Sequence, residues 1–431
     1  MTLSIISFLL NILTVIISYK KRMIVYATSI FFFLSLVSGQ SLQLAFDLTE
    51  YPDVQYLHHF INTAGFDNSL LYLLLTSVLL LIIPILFSSH RGKIFRDAVG
   101  YRLSLFKTVL MYFLILLNIF TLIFLIVGWS LFISSTRPGV VTGSTIFLVI
   151  LSLGIYPALN QVICRERIKW RFIVLLLLVL VVTLLFSRIH VIVYGLIFFV
   201  AWFYSSGINR KKVSLKELFN ILVFGMLFLS IFLLIGTIRD TLNFVNGGWN
   251  EVIQYAIDNI DSGILSIRYN YIASVEGMSG LAGAFTYLDE QGEQTFDMGL
   301  SVFVQGLFQW IPGFLKPYTA PYIEEIVASN WYQKSIVPSG FESSFVSFGW
   351  FGIFLFPLML YFISNFLTMV YIKSLNINIK IVSLIMIGMQ VFFIRGSWQV
   401  WVAYSISYLF IFGLYKLFFN SSYQLHWGYK N

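Results

Sequence analysis

A single cysteine, Cys164, stands in 431 residues, so neither a disulfide framework nor a thiolate metal site can be built within one chain. Histidine is nearly as scarce. Of the five, His58 and His59 adjoin in an acidic stretch that reads as a solvated turn, and no histidine spacing suits a metal. No metal and no other cofactor is expected. Charged residues make up only 11%, against about 25% in soluble globular domains, which excludes a soluble fold. The alternating pattern of membrane β-strands is also missing, so helices are expected throughout.

What fills the sequence is apolar: 58% of residues are hydrophobic and the mean hydropathy is +0.86. A helical crossing needs roughly 20 residues. On that basis we expect an all-α polytopic membrane protein with eleven spans, at 3–18, 24–46, 67–88, 108–135, 144–163, 172–186, 190–206, 217–238, 342–372, 381–394 and 398–419. The opening "LSIISFLLNILTVIISY" lacks a basic start and a small-residue cleavage site, so a retained span is expected, with the mature chain beginning at Met1.

Basic residues in short loops mark the cytoplasmic side. One set of connections ("KKR" at 20–22, then 90–107, 165–171, 210–217, Lys373, Lys380 and the tail) holds 20 of the 27 Lys and Arg but only Asp97, Glu166 and Glu217 of the acids. The other set holds the remaining 7 cations and 16 of the 19 acids. This division predicts an N-out, C-in topology. It also explains the net charge of +8 without nucleic acid.

Residues 239–341 form one large external loop inside a single membrane domain spanning 1–431. Ile253, Ile257, Ile260, Ile264 and Ile267 follow steps of four and three, which places them on one face of an amphipathic helix. The uncharged "MGLSVFVQGLFQWIPGFL" is read as a surface or re-entrant element, because a crossing there would invert every later charge. The loop is thus expected to act as a lid on the outer leaflet, between the eighth and ninth spans. Eight spans before it and three after give no inverted repeat of the transporter kind.

External cations carry the chemical signal. Besides Arg137 they are Arg188, Arg239, Arg268, Lys316, Lys334 and Arg395. Arg188, Arg239 and Arg395 end spans at the external boundary, against the usual charge bias and at a cost unless an anion compensates. Guanidinium pairs with phosphate through two parallel hydrogen bonds and never loses its charge, so a lipid-linked diphosphate is one candidate. Snorkelling to headgroups or pairing with Asp240 and Glu276 is the other. His190, two residues past Arg188, is either a base or a helix-end histidine with a satisfied hydrogen bond.

Five stretches, in order, resemble the O-antigen polymerase (Wzy-type) family and, more loosely, the O-antigen ligases. They are "FSRIHVIVYG", "GTIRD", "WIPGFLKPYTAP", "PSGFESSFVSFGWFGIFLFPL" and "IRGSW". The resemblance runs from Thr183 to Phe419, and the first third of the chain matches only in hydropathy. It implies a polymerase and ligase architecture like that of GT-C glycosyltransferases, in the bacterial inner membrane. The implied activity is polymerisation of undecaprenyl-diphosphate-linked oligosaccharide repeat units at the periplasmic or external face, without metal.

The implied partners are lipid-linked donor and acceptor, the bilayer, and a chain-length regulator. The resemblance further implies that Arg188 and Arg239 face the diphosphate, with Arg268 and Arg395 as weaker matches. Glu342, at the loop's end, is the preferred base because desolvation there would raise its proton affinity; an acid favoured by a helix N-terminus is the competing reading. Arg239 and His190 complete the catalytic candidates. Lys316, Glu276, Tyr318 and Trp331 are candidates to touch sugar or phosphate. Three rivals stay open: an O-antigen ligase, a transferase using a polyprenyl-phosphate sugar with Asp47, Glu50 and Asp53 in its first loop, and a lipid-linked oligosaccharide flippase.

Overall fold

A computed structural model describes residues 2–39, 41–42, 64–87, 112–113, 115–117, 119, 155–164, 170–186, 188–205, 254, 339–395 and 398–418. The principal elements are α1 (Thr2–Lys20), α2 (Ile24–Phe33) continued by a π turn (Leu34–Ser38), α3 (Ala64–Leu86), α4 (Ile155–Ile163), α5 (Trp170–Phe186), α6 (Arg188–Ser205), α7 (Gly340–Phe348), α8 (Gly352–Lys373), α9 (Ile377–Arg395) and α10 (Trp398–Phe418). No strand occurs among the described residues. They fall into two compact units. One takes α1 to α3, α7, α8 as far as residue 370, and residues 386–406 of α9 and α10; the other takes α4 to α6, residues 371–385 and the rest of α10.

In the first unit, α1 inverts the pattern of a soluble helix. Its buried face is Ser4, Ser7, Asn11, Thr14 and Ser18, at steps of three and four, while Ile6, Leu9, Leu13 and Ile16 are exposed. That arrangement suits apolar surroundings, where small polar side chains let helices approach and hydrogen-bond. Asn11 Nδ2 donates to Ser38 Oγ at 2.7 Å and Ser77 Oγ at 3.0 Å, tying α1 to the π turn and α3. Ser7 and Thr14 return their hydroxyls to Leu3 O and Leu10 O, both at 2.8 Å.

The reversal after α1 is a Schellman turn. Met23 N donates to Ser18 O and Arg22 N to Tyr19 O, both at 2.9 Å, with Arg22 left-handed at φ 62°. Lys21 Nζ then donates to Ile85 O at 2.8 Å, so α1 and α3 end side by side. α8 runs with them, because Tyr72 of α3 meets Trp350 just before α8 starts, and Phe87 stacks on Tyr361 further along. α9 runs against α8, pairing Phe393 with Phe356 and Gln390 with Ser364. Gln390 Oε1 accepts from Ser29 Oγ of α2 at 2.8 Å and from Ser364 Oγ of α8 at 3.2 Å, with all three side chains buried.

The second unit is built on α6, whose Val191, Val193, Ile197 and Val200 are buried. Tyr408 Oη of α10 donates to Tyr194 Oη at 2.9 Å, and Tyr156 of α4 meets Phe412 edge-on. Tyr204 lies 5.6 Å from the Tyr371 ring, and Lys380 Nζ sits 5.9 Å from that same ring.

Several expectations change. The span expected to run unbroken over 342–372 is two helices, α7 and α8, divided at Gly349 (φ 56°) by a 3-10 turn, Gly349–Phe351. Lys380, expected in an internal loop, lies in the first turn of α9 and is buried, with its ammonium against an aromatic face. Among the described residues, four helical stretches are long and apolar enough to cross a membrane: Thr2–Lys20, Gly65–Leu86, Gly340–Lys373 and Ile377–Arg395. Shorter apolar helices occupy Ile24–Ser38, His190–Ser205 and Val400–Gly413. The spans expected at 108–135 and 217–238, and nearly all of the 239–341 loop with its lid, lie largely outside the described residues.

Candidate functional site

The sequence "SGFESSFVS" carries serines at every fourth position, 339, 343 and 347, with Glu342 beside them. Ser339 starts α7: its Oγ accepts from Glu342 N at 3.0 Å, and Ser343 N donates to Ser339 O at 2.8 Å. The Ser-x-x-Glu order is that of a capping box. Its reciprocal half, Ser339 N–H to the Glu342 carboxylate, is not made, so the carboxylate points elsewhere. Glu342 is fully buried, as are Ser343 and Ser344.

An aromatic shell fixes α7. Phe341 lies 5.4 Å from Phe33, 5.1 Å from Tyr72 and 5.8 Å from Phe356, and Phe345 lies 5.1 Å from Tyr72. Tyr72 Oη and Ser344 Oγ share a hydrogen bond at 3.1 Å, and Ser344 Oγ also donates to Phe341 O at 2.6 Å. The break after α7 folds the chain back so closely that a Cβ on Gly352 would lie 2.7 Å from the carbonyl carbon of Ser344. Glycine is therefore required there by contact, and at Gly349 by conformation.

Arg395, the last residue of α9, lies at the same end of this unit. The rings of Phe341, Phe356 and Phe393 form a continuous file, at 5.8 Å and then 5.4 Å, from the residue before Glu342 to two residues before Arg395. The "KKR" turn lies at the opposite end, beside the C-terminus of α3. Glu342 and Arg395 are thus gathered at one end of the first unit. A cation at a helix C-terminus also complements the helix dipole, which accounts for the position of Arg395 without a ligand.

His190 belongs to the second unit, in the first turn of α6. It is buried and stacked on Tyr408 at 6.2 Å and 20°, and Tyr408 is itself bonded to Tyr194. Arg188 is the first residue of α6. Arg239, Arg268, Glu276, Lys316, Tyr318 and Trp331 lie outside the described residues. Among the described residues no group of three or more His, Cys, Asp or Glu gathers as a metal site. Sequence reasoning missed Tyr72, Ser343, Ser344 and Ser347. The four-residue serine repeat beside a lone acid was the available signal.

These long apolar helices, with many large hydrophobic side chains exposed on the outside, are those of an all-α membrane protein. No family model matches the chain, and no curated protein or solved structure matches it either.

Proposed function

We propose that the chain is a membrane glycosyltransferase that polymerises undecaprenyl-diphosphate-linked oligosaccharide repeat units at the outer face of a bacterial inner membrane. The observation that carries this is the buried carboxylate of Glu342, held on a broken helix at the same end as Arg395 and opposite the "KKR" turn. A hydroxyl at the nonreducing end of the acceptor attacks the anomeric carbon of the growing chain. The bond from that carbon to the diphosphate oxygen breaks, and undecaprenyl diphosphate leaves with the electron pair. Glu342 takes the hydroxyl proton as general base, and cationic side chains, Arg395 among them, stabilise the leaving charge.

Nothing in this reaction calls for a metal, since the diphosphate is already a good leaving group and positioning supplies the rest. The same order of motifs supports Arg188 and Arg239 as further diphosphate contacts. The test is reconstitution of the purified protein in vesicles with an undecaprenyl-diphosphate-linked repeat unit, resolving products on a gel. A ladder of chain lengths supports the reading, and transfer of intact units across the vesicle without any ladder overturns it in favour of a flippase.

A further inference from the structure

The hydroxyls of Ser343 and Ser347 are buried, and neither has a hydrogen-bond partner among the described residues. The two nearby serine hydroxyls, at 339 and 344, are by contrast engaged. Ser339 Oγ accepts from Glu342 N, and Ser344 Oγ is bonded to Phe341 O and Tyr72 Oη. Elsewhere in this fold a buried helical hydroxyl commonly returns to the carbonyl four residues earlier, as Ser7, Thr14, Ser29 and Ser77 do. Ser343 and Ser347 make no such bond.

Helical residues are about 100° apart, so residues 343 and 347 share a face one turn apart, while Phe341 and Phe345 occupy the far side. The phenylalanine face is the one anchored on Tyr72, Phe33 and Phe356. Glu342 falls at the edge between the two faces. The hydroxyl face is therefore held rigidly from behind, with an acid at its rim.

We infer that Ser343 and Ser347 form a subsite for the hydroxyls of the acceptor sugar, holding the ring so that its attacking hydroxyl meets Glu342. This rests on the glycosyltransferase reading above. A serine hydroxyl both donates and accepts, as a sugar hydroxyl does, and two of them one helical turn apart can engage two hydroxyls of one ring. In the transfer, the acceptor oxygen forms the new bond to the anomeric carbon, the diphosphate departs with the old bonding pair, and the proton passes to Glu342. The serines take part in no bond change and act by binding.

Ser343→Ala and Ser347→Ala test this, with Ser405→Ala as control. Ser405 is an equally buried hydroxyl without a hydrogen-bond partner among the described residues, but on α10. In nanodiscs, each α7 variant should bind the lipid-linked repeat unit about three- to tenfold more weakly and show a matching rise in acceptor KM. The melting temperature should stay at or above the wild-type value, because no internal bond is lost; Ser347→Cys, which keeps the size, should bind as weakly as Ser347→Ala. Unchanged binding, or a melting temperature lowered in step with binding, overturns the subsite. An active wild type with α7 variants that bind normally sinks the subsite and spares the polymerase. A wild type that binds serine-dependently but makes no ladder sinks the polymerase and spares the subsite, and a wild type that does neither sinks both.

Discussion

The Tyr26 hydroxyl donates to the Leu80 carbonyl at 3.0 Å, and Leu80 is the residue four before Pro84 in α3. Proline has no N–H, so that carbonyl has lost its helical donor, and α2 supplies one from outside. Tyr26→Phe should therefore leave a buried acceptor unsatisfied and cost about 1–3 kcal/mol, read as a fall in melting temperature in detergent. In a Pro84→Ala background, which restores the N–H, the same change should cost clearly less. Strictly additive losses would show that the two residues are not coupled.

Arg22 occupies the left-handed position of the Schellman turn, where a side chain is strained by about 1–2 kcal/mol. Arg22→Gly should raise the unfolding midpoint, whereas Arg22→Val should lower it. A midpoint insensitive to either change would contradict the turn.

The tightest backbone approach is at Gly352, whose Cβ would meet a carbonyl group rather than a flexible side-chain end alone. Gly352→Ala should cost about 1–3 kcal/mol or more and reduce the yield of folded protein. Gly413, inside α10 with open space around it, is the contrast. There alanine should be neutral or gain up to about 1 kcal/mol.

Glu342→Gln keeps the shape of the side chain and removes the base. Polymerisation should fall by about 10²- to 10⁴-fold, with the melting temperature preserved. Normal ladders from a folded Glu342→Gln protein would remove Glu342 from the chemistry.

A chelator is the simplest further measurement. Polymerisation in excess EDTA should match the untreated rate, and recovery only on adding a divalent cation would return the polyprenyl-phosphate rival to the front.

Much of the helical layout was legible because hydropathy alone locates apolar runs: α1, α3, α5, α6, α9 and α10 fall on spans expected from the sequence. Hydropathy does not register backbone conformation, so the division at Gly349 was invisible inside a continuous apolar run. Nor could it place Lys380, whose long aliphatic stem lets a cation sit within a helix beside Tyr371. Burial of Glu342 could be anticipated from its position at the head of a span. The serine face beside it could not, since serine in an apolar helix ordinarily reads as packing. The aromatic file from Phe341 to Phe393 joins residues 52 positions apart (393 minus 341), a proximity no local pattern encodes.

Gln390 binds a serine of α2 and a serine of α8 through one side-chain oxygen. A slide of either helix by even one turn would cost that buried oxygen one of its two donors, so the pair of bonds favours a single register among α2, α8 and α9. Three helices from distant parts of the sequence thereby share one buried polar clasp.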